Sequence, residues 1–335
     1  MPPKHGIVIG AGAVARLAHL PAYSRDARLA ERLQIVGAVD PAVAAADLDG
    51  LPVFATLDAA VRAGPLDFVD ICTPTSTHQT LVREALARGL HVLCEKPVAV
   101  DAGAARELAG AARAAGRVLF PCHQYRQNPA WLAMRQWIDA GEIGRWHLAE
   151  FHVYRGEADR GTTASGVPWR ARSSVSLGGV LLDHGTHLLY LLLDAGGMPR
   201  SVTAQLSRLG HPDYEVEDTA HLLLDYGDRA ATLTLTWAGQ GRENRIRFIG
   251  DKGMVEWVGG FLRLVKRDGT VESIDFAAQL DKREYAAWMS SLLGQFVDAI
   301  DLGHDAGALR EIEQVATLLD AAYRSAAEGC RITTG

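Results

Sequence analysis

The chain has 335 residues, with 34 Lys and Arg against 40 Asp and Glu, a formal charge of −6 and 48% apolar residues. That is the make-up of a globular protein with room for two domains, and without a basic cluster it argues against a broad nucleic-acid footprint. No apolar run is long enough to span a bilayer, since the longest, LLDHGTHLLYLLL at 181–193, carries an Asp and two His.

The start, MPPKHGIVIG, enters a strand pattern without the apolar core and cleavage site of a signal peptide. Four scattered cysteines (72, 94, 122 and 330) show no CxxC spacing and suit reduced thiols rather than a disulfide framework or zinc site. The expectation is a cytoplasmic protein with no nucleic-acid or membrane partner and no metal.

Strand and helix alternate over residues 1–121. GIVIG (6–10) is a short β-branched run of the buried parallel type. A glycine turn follows, then an apolar-periodic segment through Val14, Leu17 and Ala18 that Pro21 is expected to end or kink. LQIVGAVD (33–40) and DFVDICT (67–73) are further strands, the latter leading to a helix through Leu81, Val82, Ala85 and Leu86 that Gly89 can terminate. HVLCE (91–95) is the next strand, Asp101 an N-cap for an Ala-rich helix closing at Gly116, and RVLFP (117–121) another strand. Alternation of this kind predicts an α/β domain with a doubly wound parallel sheet.

From residue 122 to 335 the texture changes. RWHLAEFHVYR (145–155), RSVTAQLSR (200–208), DTAHLLLDY (218–226), RAATLTLTW (229–237) and NRIRFIG (244–250) read as successive strands with short turns. In the fourth, Thr232, Thr234 and Thr236 alternate with Leu233, Leu235 and Trp237, so one face is apolar and the other polar. An α+β domain with a large, mainly antiparallel open sheet is predicted, its polar face open to solvent or a partner subunit. Helices striped Trp288–Leu292–Phe296–Ile300 and Leu309–Ile312–Ala316–Leu319–Tyr323 close the chain.

GAGAVA (10–15) lies between the first strand and a helix, where a dinucleotide fingerprint of the Rossmann type belongs. Gly10 allows the tight turn, Gly12 lets backbone approach a pyrophosphate, Ala13 and Val14 open the helix, and Ala15 stands for the third glycine. Asp40, at the end of the second strand, suits the adenosine ribose hydroxyls and equally a turn cap. With Pro41, Ala42 and Val43 next, no cation is offered to a 2′-phosphate, which points to NAD rather than NADP. Thr73, Pro74 and His78 of CTPTSTH (72–78) fit the nicotinamide half of such a site, or a Pro turn capping the next helix.

In CEKP (94–97), Lys96 emerges where a buried strand ends. An ammonium there can polarise a substrate oxygen or carry its proton, with Glu95 balancing its charge, although a surface Lys beside a Glu is an even alternative. Asp183 and His187, in GGVLLDHGTHLL (178–189), share one helix face. A carboxylate one turn away can orient the imidazole for general acid–base work. An internal ion pair or a metal site are the competing readings, the latter without an evident third ligand.

Taken together, GAGAVA, Asp40, CTPTSTH, CEKP and the later Trp169, Arg170, Gly178, Gly179, Asp183, His187 pattern resemble the Gfo/Idh/MocA oxidoreductases. The likeness runs on through RFIGDKGMVEW (247–257) to YRSAAEG (323–329). It implies an NAD-binding Rossmann domain over 1–121, and over 122–335 a substrate-binding domain whose sheet mediates homodimer or homotetramer contacts. It also implies hydride transfer between NAD(P) and a secondary alcohol or ketone carbon of a sugar, sugar derivative or cyclitol. By that similarity Lys96, Asp183 and His187 match the catalytic set, with Glu95 and Lys96 also beside the cofactor. Tyr125, Arg126, Trp169 and Arg170 fall at the substrate cleft. One departure is Tyr190, three places after His187, where the family often has an acidic residue. A non-catalytic NAD-binding regulator and an imine or enone reductase are the alternatives on this scaffold.

Overall fold

A computed structural model describes residues 2–43, 45–160, 166–280, 284–304 and 307–335. The chain divides into two compact units, residues 1–124 with 283–313, and residues 125–282 with 314–335. The expected division at 121/122 assigned everything beyond it to the second domain, yet the helix Tyr285–Leu302 belongs to the first unit. Its Phe296 meets Phe68 edge-on at 5.6 Å, and Met289, Leu292 and Val297 join the same core. The apolar stripe was legible in sequence, but a stripe does not say which sheet it covers.

In the first unit, β1 (Lys4–Ile9), β2 (Leu33–Val39), β3 (Val53–Phe54), β4 (Phe68–Ile71), β5 (His91–Cys94) and β6 (Leu119–Pro121) form a parallel sheet in the order β3-β2-β1-β4-β5-β6. Ile7, Val8 and Ile9 of β1 are buried, as a strand covered on both faces must be. Caps set the crossover helices as the sequence predicts: the Asp101 carboxylate accepts the Ala104 N–H at 2.8 Å, and Gly116 ends the same helix in the left-handed region, φ 58. The strand order reverses between β1 and β4, so their carboxyl ends flank the crevice where such sheets bind ligands.

Pro21 does not end the first helix. A π-helical turn, Ala15–His19, leads into the helix Leu20–Arg25, and the Leu20 N–H reaches back to the Ala15 carbonyl. A wider turn next to proline accommodates a residue that lacks an N–H and crowds the preceding turn. The local consequence is that His19 is fully buried.

In the second unit, β7 (Trp146–Tyr154), β8 (Ser201–Ser207), β9 (Thr219–Asp225), β10 (Ala230–Thr236), β11 (Glu243–Gly250), β12 (Gly253–Val258), β13 (Phe261–Lys266), β14 (Val271–Asp275) and β15 (Ile332–Thr333) form one sheet. The order is β14-β13-β12-β11-β7-β10-β9-β8-β15, with β7 and β10 paired in parallel and the other neighbours antiparallel. Leu233, Leu235 and Trp237 are buried while the three alternating threonines stay half-buried on the other face, as read from their period. Among the described residues, no helix is long and apolar enough to cross a membrane.

Candidate active site

Two groups of candidate residues exist, one in each unit. In the first unit, three loops leave the carboxyl ends of adjacent strands β1, β4 and β5. Gly10 has φ 90, and a Cβ there would stand 2.8 Å from Thr73 Cγ2 and 3.0 Å from the Cys72 carbonyl carbon, so only glycine serves. At Gly12 an added Cβ would meet nothing within 4 Å, which leaves the backbone open to a close-lying group such as a pyrophosphate. Ala13 and Val14 open the helical segment behind it. Arg16, not singled out in the sequence, donates from Nε to the Ala11 carbonyl at 2.8 Å.

Asp40 accepts the Ala11 N–H at 2.9 Å on one oxygen and the Ala42 N–H at 2.8 Å on the other. It therefore caps its own turn and also ties the glycine turn to the end of β2. Each oxygen retains acceptor capacity for a hydroxyl. The residues thus fit a dinucleotide by their turn, their open backbone and their acidic partner.

Thr73 and Pro74 lie half-buried after β4. His78 is buried, one ring nitrogen 2.8 Å from the Pro97 carbonyl and the other 2.8 Å from the Thr73 carbonyl. It straps the two loops together, and burial holds its pKa below the ordinary imidazole range. The Lys96–Pro97 bond is cis. Glu95 accepts the Lys96 N–H at 3.1 Å on one oxygen, and the other is 3.0 Å from His19 Nε2. His19 Nδ1 lies 2.8 Å from Asp70, which also accepts the Tyr23 hydroxyl at 3.0 Å. This buried group did not emerge from the sequence reading. The available signal was Asp70 itself, an acid inside the apolar run FVDI with no partner in its own segment.

In the second unit, a π-helical turn, Leu181–Gly185, runs directly into the helix Thr186–Gly196. Its start is fixed by Glu217, whose carboxylate accepts the N–H of Gly179 at 2.9 Å, the N–H of Leu181 at 3.2 Å and the Tyr323 hydroxyl at 2.8 Å. A side chain on Gly179 would strike the Glu217 carbonyl, which accounts for the second of the paired glycines. An acid at the start of a helical segment also opposes its positive end.

Asp183 and His184 lie in that turn and His187 in the first turn of the helix. Asp183 Oδ2 is 3.4 Å from Arg170 Nε and 3.9 Å from His184 Nε2. Arg170 stacks over Trp169 at 4.4 Å and donates to the Asp159 carbonyl at 3.1 Å. The side chain that holds His187 Nδ1 is Tyr190, with its hydroxyl oxygen 2.7 Å away. Tyr190 is fully buried and accepts the Tyr125 N–H at 3.1 Å, while the Tyr125 ring stacks on the imidazole at 4.2 Å. The partner at that nitrogen is thus the residue set apart as a departure. The missed signal was helical spacing, since positions three apart meet on one face.

Arg126 is 2.7 Å from Asp194, and the Trp131 indole donates to the other oxygen of that carboxylate at 2.9 Å. A small cavity within this unit is lined by Tyr125, His184 and His187 together with His152, Arg155, Asn244, Trp257 and four aliphatic side chains. Of the four expected substrate residues, Tyr125 lines it. Asn244 and Trp257 come from β11 and β12, and the strand order places β11 beside β7 and β12 beyond it.

A parallel sheet with a glycine turn at its switch point, joined to a unit built on a broad mixed sheet, defines a dinucleotide-binding oxidoreductase architecture. Residues 4–123 match the description "Oxidoreductase family, NAD-binding Rossmann fold", and residues 131–256 match "GFO/IDH/MocA C-terminal domain". The chain belongs to the Gfo/Idh/MocA oxidoreductase family. It is 31% identical over 258 residues to an inositol 2-dehydrogenase of Rhizobium meliloti, across 74% of this chain and 73% of that protein. The uncharacterized oxidoreductase YdgJ of Escherichia coli is 27% identical over 246 residues, 73% of this chain and 68% of its own length. An oxidoreductase from Agrobacterium radiobacter, solved with NAD+, L-tartaric acid and magnesium, shares the fold with a TM-score of 0.86 at 22% identity, covering 99% of this chain and 98% of that one.

Proposed function

We propose that the protein is an NAD-dependent dehydrogenase or reductase acting on a secondary alcohol or ketone carbon of a sugar, sugar derivative or cyclitol. The observation that carries this reading is His187, held at Nδ1 by Tyr190 and lining a cavity whose walls mix aliphatic, aromatic and polar side chains. The kinship with an inositol 2-dehydrogenase supports the same substrate class. Asp40 supports NAD over NADP, because its carboxylate repels a 2′-phosphate and residues 41–43 supply no cation.

When bound, the nicotinamide ring supplies the hydride acceptor or donor. The chain's own residues manage the proton and the substrate oxygen. In the tautomer whose Nδ1–H donates to Tyr190, the His187 Nε2 lone pair is available to take the hydroxyl proton. Lys96 holds and polarises the reacting oxygen, and Asp183 on the preceding turn orients the imidazole. Gly10, Gly12, Ala13 and Val14 receive the pyrophosphate, Asp40 the ribose, and Thr73, Pro74, His78 and Glu95 frame the nicotinamide half. Tyr125, Arg126, Trp169 and Arg170 serve the substrate.

The second unit is proposed as the substrate-binding and oligomerisation part, with two or four copies meeting through the polar face of its sheet. Light scattering of the purified protein measures the copy number directly, and a monomer at working concentration refutes that part. The function is tested by following reduced nicotinamide with NAD or NADP and a panel of sugars, sugar acids and cyclitols. Turnover with NAD that disappears in Lys96→Ala is the expected result. Equal turnover in that variant refutes the assignment of Lys96.

A further inference from the structure

His19 is wholly buried, and each of its ring nitrogens faces a carboxylate: Nδ1 is 2.8 Å from Asp70 Oδ2 and Nε2 is 3.0 Å from Glu95 Oε1. A neutral imidazole has one N–H. Its other nitrogen would turn a lone pair toward carboxylate oxygens at hydrogen-bonding distance, which is repulsive in a site that water does not reach. One proton must therefore be added to the ring or to a carboxyl group.

The surroundings of the two acids choose between these. Asp70 Oδ2 also accepts the Tyr23 hydroxyl at 3.0 Å, and Oδ1 is approached by the Cys72 thiol at 3.5 Å. The second oxygen of Glu95 accepts the Lys96 N–H at 3.1 Å. Each acid stands among donors, as an anion does, so the added proton belongs on the ring. Cys122 closes the group, with its sulfur, a His19 nitrogen and an Asp70 oxygen all within 4.8 Å of one another. Its thiol is buried and pushed well above the ordinary cysteine range, first by desolvation and then by Glu95 and Asp70, so it adds no charge near neutrality. The Cys94 thiol is raised by the same causes.

We propose that His19 is an imidazolium at and well above neutral pH, and that it positions Lys96 by keeping Glu95 an ionised acceptor for the Lys96 N–H. The π-helical turn that buries His19 belongs to the helix behind the glycine turn, so one buried charge couples that helix to the strand end bearing Lys96. Burial by itself would lower the His19 pKa, but the charge and hydrogen bond of Asp70, together with Cys72, reverse it and hold the ring well above 6.5. Burial would likewise raise Glu95, and the His19 hydrogen bond and charge bring it below 4.5. His78 is the internal control: its ring nitrogens face two carbonyl dipoles rather than two charges, and there burial prevails. The charge state is independent of the substrate, while its catalytic consequence rests on the reading of Lys96 as a reacting group.

The test is nuclear magnetic resonance of the full chain with isotope-labelled histidine, between about pH 6 and about pH 9, bracketing the ordinary histidine pKa near 6.5. One histidine should keep two protonated ring nitrogens across the range, and that signal should vanish in His19→Gln. In Glu95→Gln, which retains a side chain of the same shape and leaves Asp70 in place, the His19 ring should keep its added proton while the Lys96 N–H loses its anionic acceptor. The Lys96 amide should then exchange with solvent at least about tenfold faster, the equivalent of about 1.4 kcal/mol. If His19→Gln does not fold, Glu95→Gln carries the test alone. A His19 ring with one protonated nitrogen at pH 7 overturns the proposal, as does a Lys96 amide indifferent to Glu95→Gln. A permanent imidazolium in a protein that turns over no polyol would sustain this inference and defeat the proposed function instead.

Discussion

Both histidines singled out by the structure lie in or beside a π-helical turn, and the two are held in opposite ways. His19 has a carboxylate on each nitrogen and no exposure, whereas His187 has a neutral phenol on Nδ1, an aromatic ring stacked on its face and a cavity beside it. Two anions lock the first ring in one charge state. A phenol fixes the direction of the second without fixing its charge. A ring that must exchange protons with a substrate needs the second arrangement, and a ring that must hold two loops together needs the first.

The comparison breaks most sharply at His19. His19→Gln leaves Asp70 and Glu95 buried without their shared cation, a loss of about 3–5 kcal/mol read from chemical denaturation. The pH dependence changes as well. In the native protein the raised His19 contributes stability that is complete below its ordinary value of 6.5 and is lost as pH rises through the raised one. The depressed Glu95 contributes stability that is complete above 4.5 and is lost as pH falls through the lowered value. Without the imidazolium, burial alone raises Glu95, so between pH 6.5 and 4.5 the variant should gain stability on acidification, a window in which both native contributions are already complete. Denaturation at two pH values decides it, and parallel curves for the two proteins reject the buried cation.

At His187 the expected loss is in rate more than in stability. His187→Asn should lower kcat by about 10²–10⁴-fold, the usual contribution of a positioned acid–base group, at a stability cost of about 1 kcal/mol for the lost Tyr190 hydrogen bond. An unchanged kcat on a substrate that the native protein oxidises would remove His187 from the chemistry.

The sequence disclosed one of these two sites more fully than the other. His187 was found because a carboxylate and an imidazole four apart suggest a shared helix face, and Lys96 because a strand ending in Glu-Lys-Pro places a charge where burial stops. The glycine turn, Asp40, the parallel sheet and the alternating threonines of β10 were legible for the same reason, since each is a local pattern with a period or a fixed spacing. His19 was not. Its partners sit 51 and 76 residues away, on β4 and just beyond β5, and they meet only because those strands are neighbours. The helix Tyr285–Leu302 shows the same limit, as its stripe of apolar residues fits the first unit by packing rather than by position in the chain.

The smallest effect expected is the most discriminating one. Tyr190→Phe removes a buried hydroxyl that serves two donors or acceptors at once, His187 Nδ1 and the Tyr125 N–H, at a cost of about 1 kcal/mol in stability. Because the phenol carries no charge, its loss should lower kcat several-fold through a less well-directed ring while the pH limb of kcat stays in place. Tyr190→Glu makes the complementary change: it puts a carboxylate on Nδ1 and should move that limb to higher pH, as an adjacent anion favours the imidazolium. Steady-state pH profiles of the two variants separate direction from charge. A limb that moves in Tyr190→Phe as far as in Tyr190→Glu would mean that the phenol sets the proton affinity of His187 as well as its orientation, and the contrast with His19 would then be one of degree.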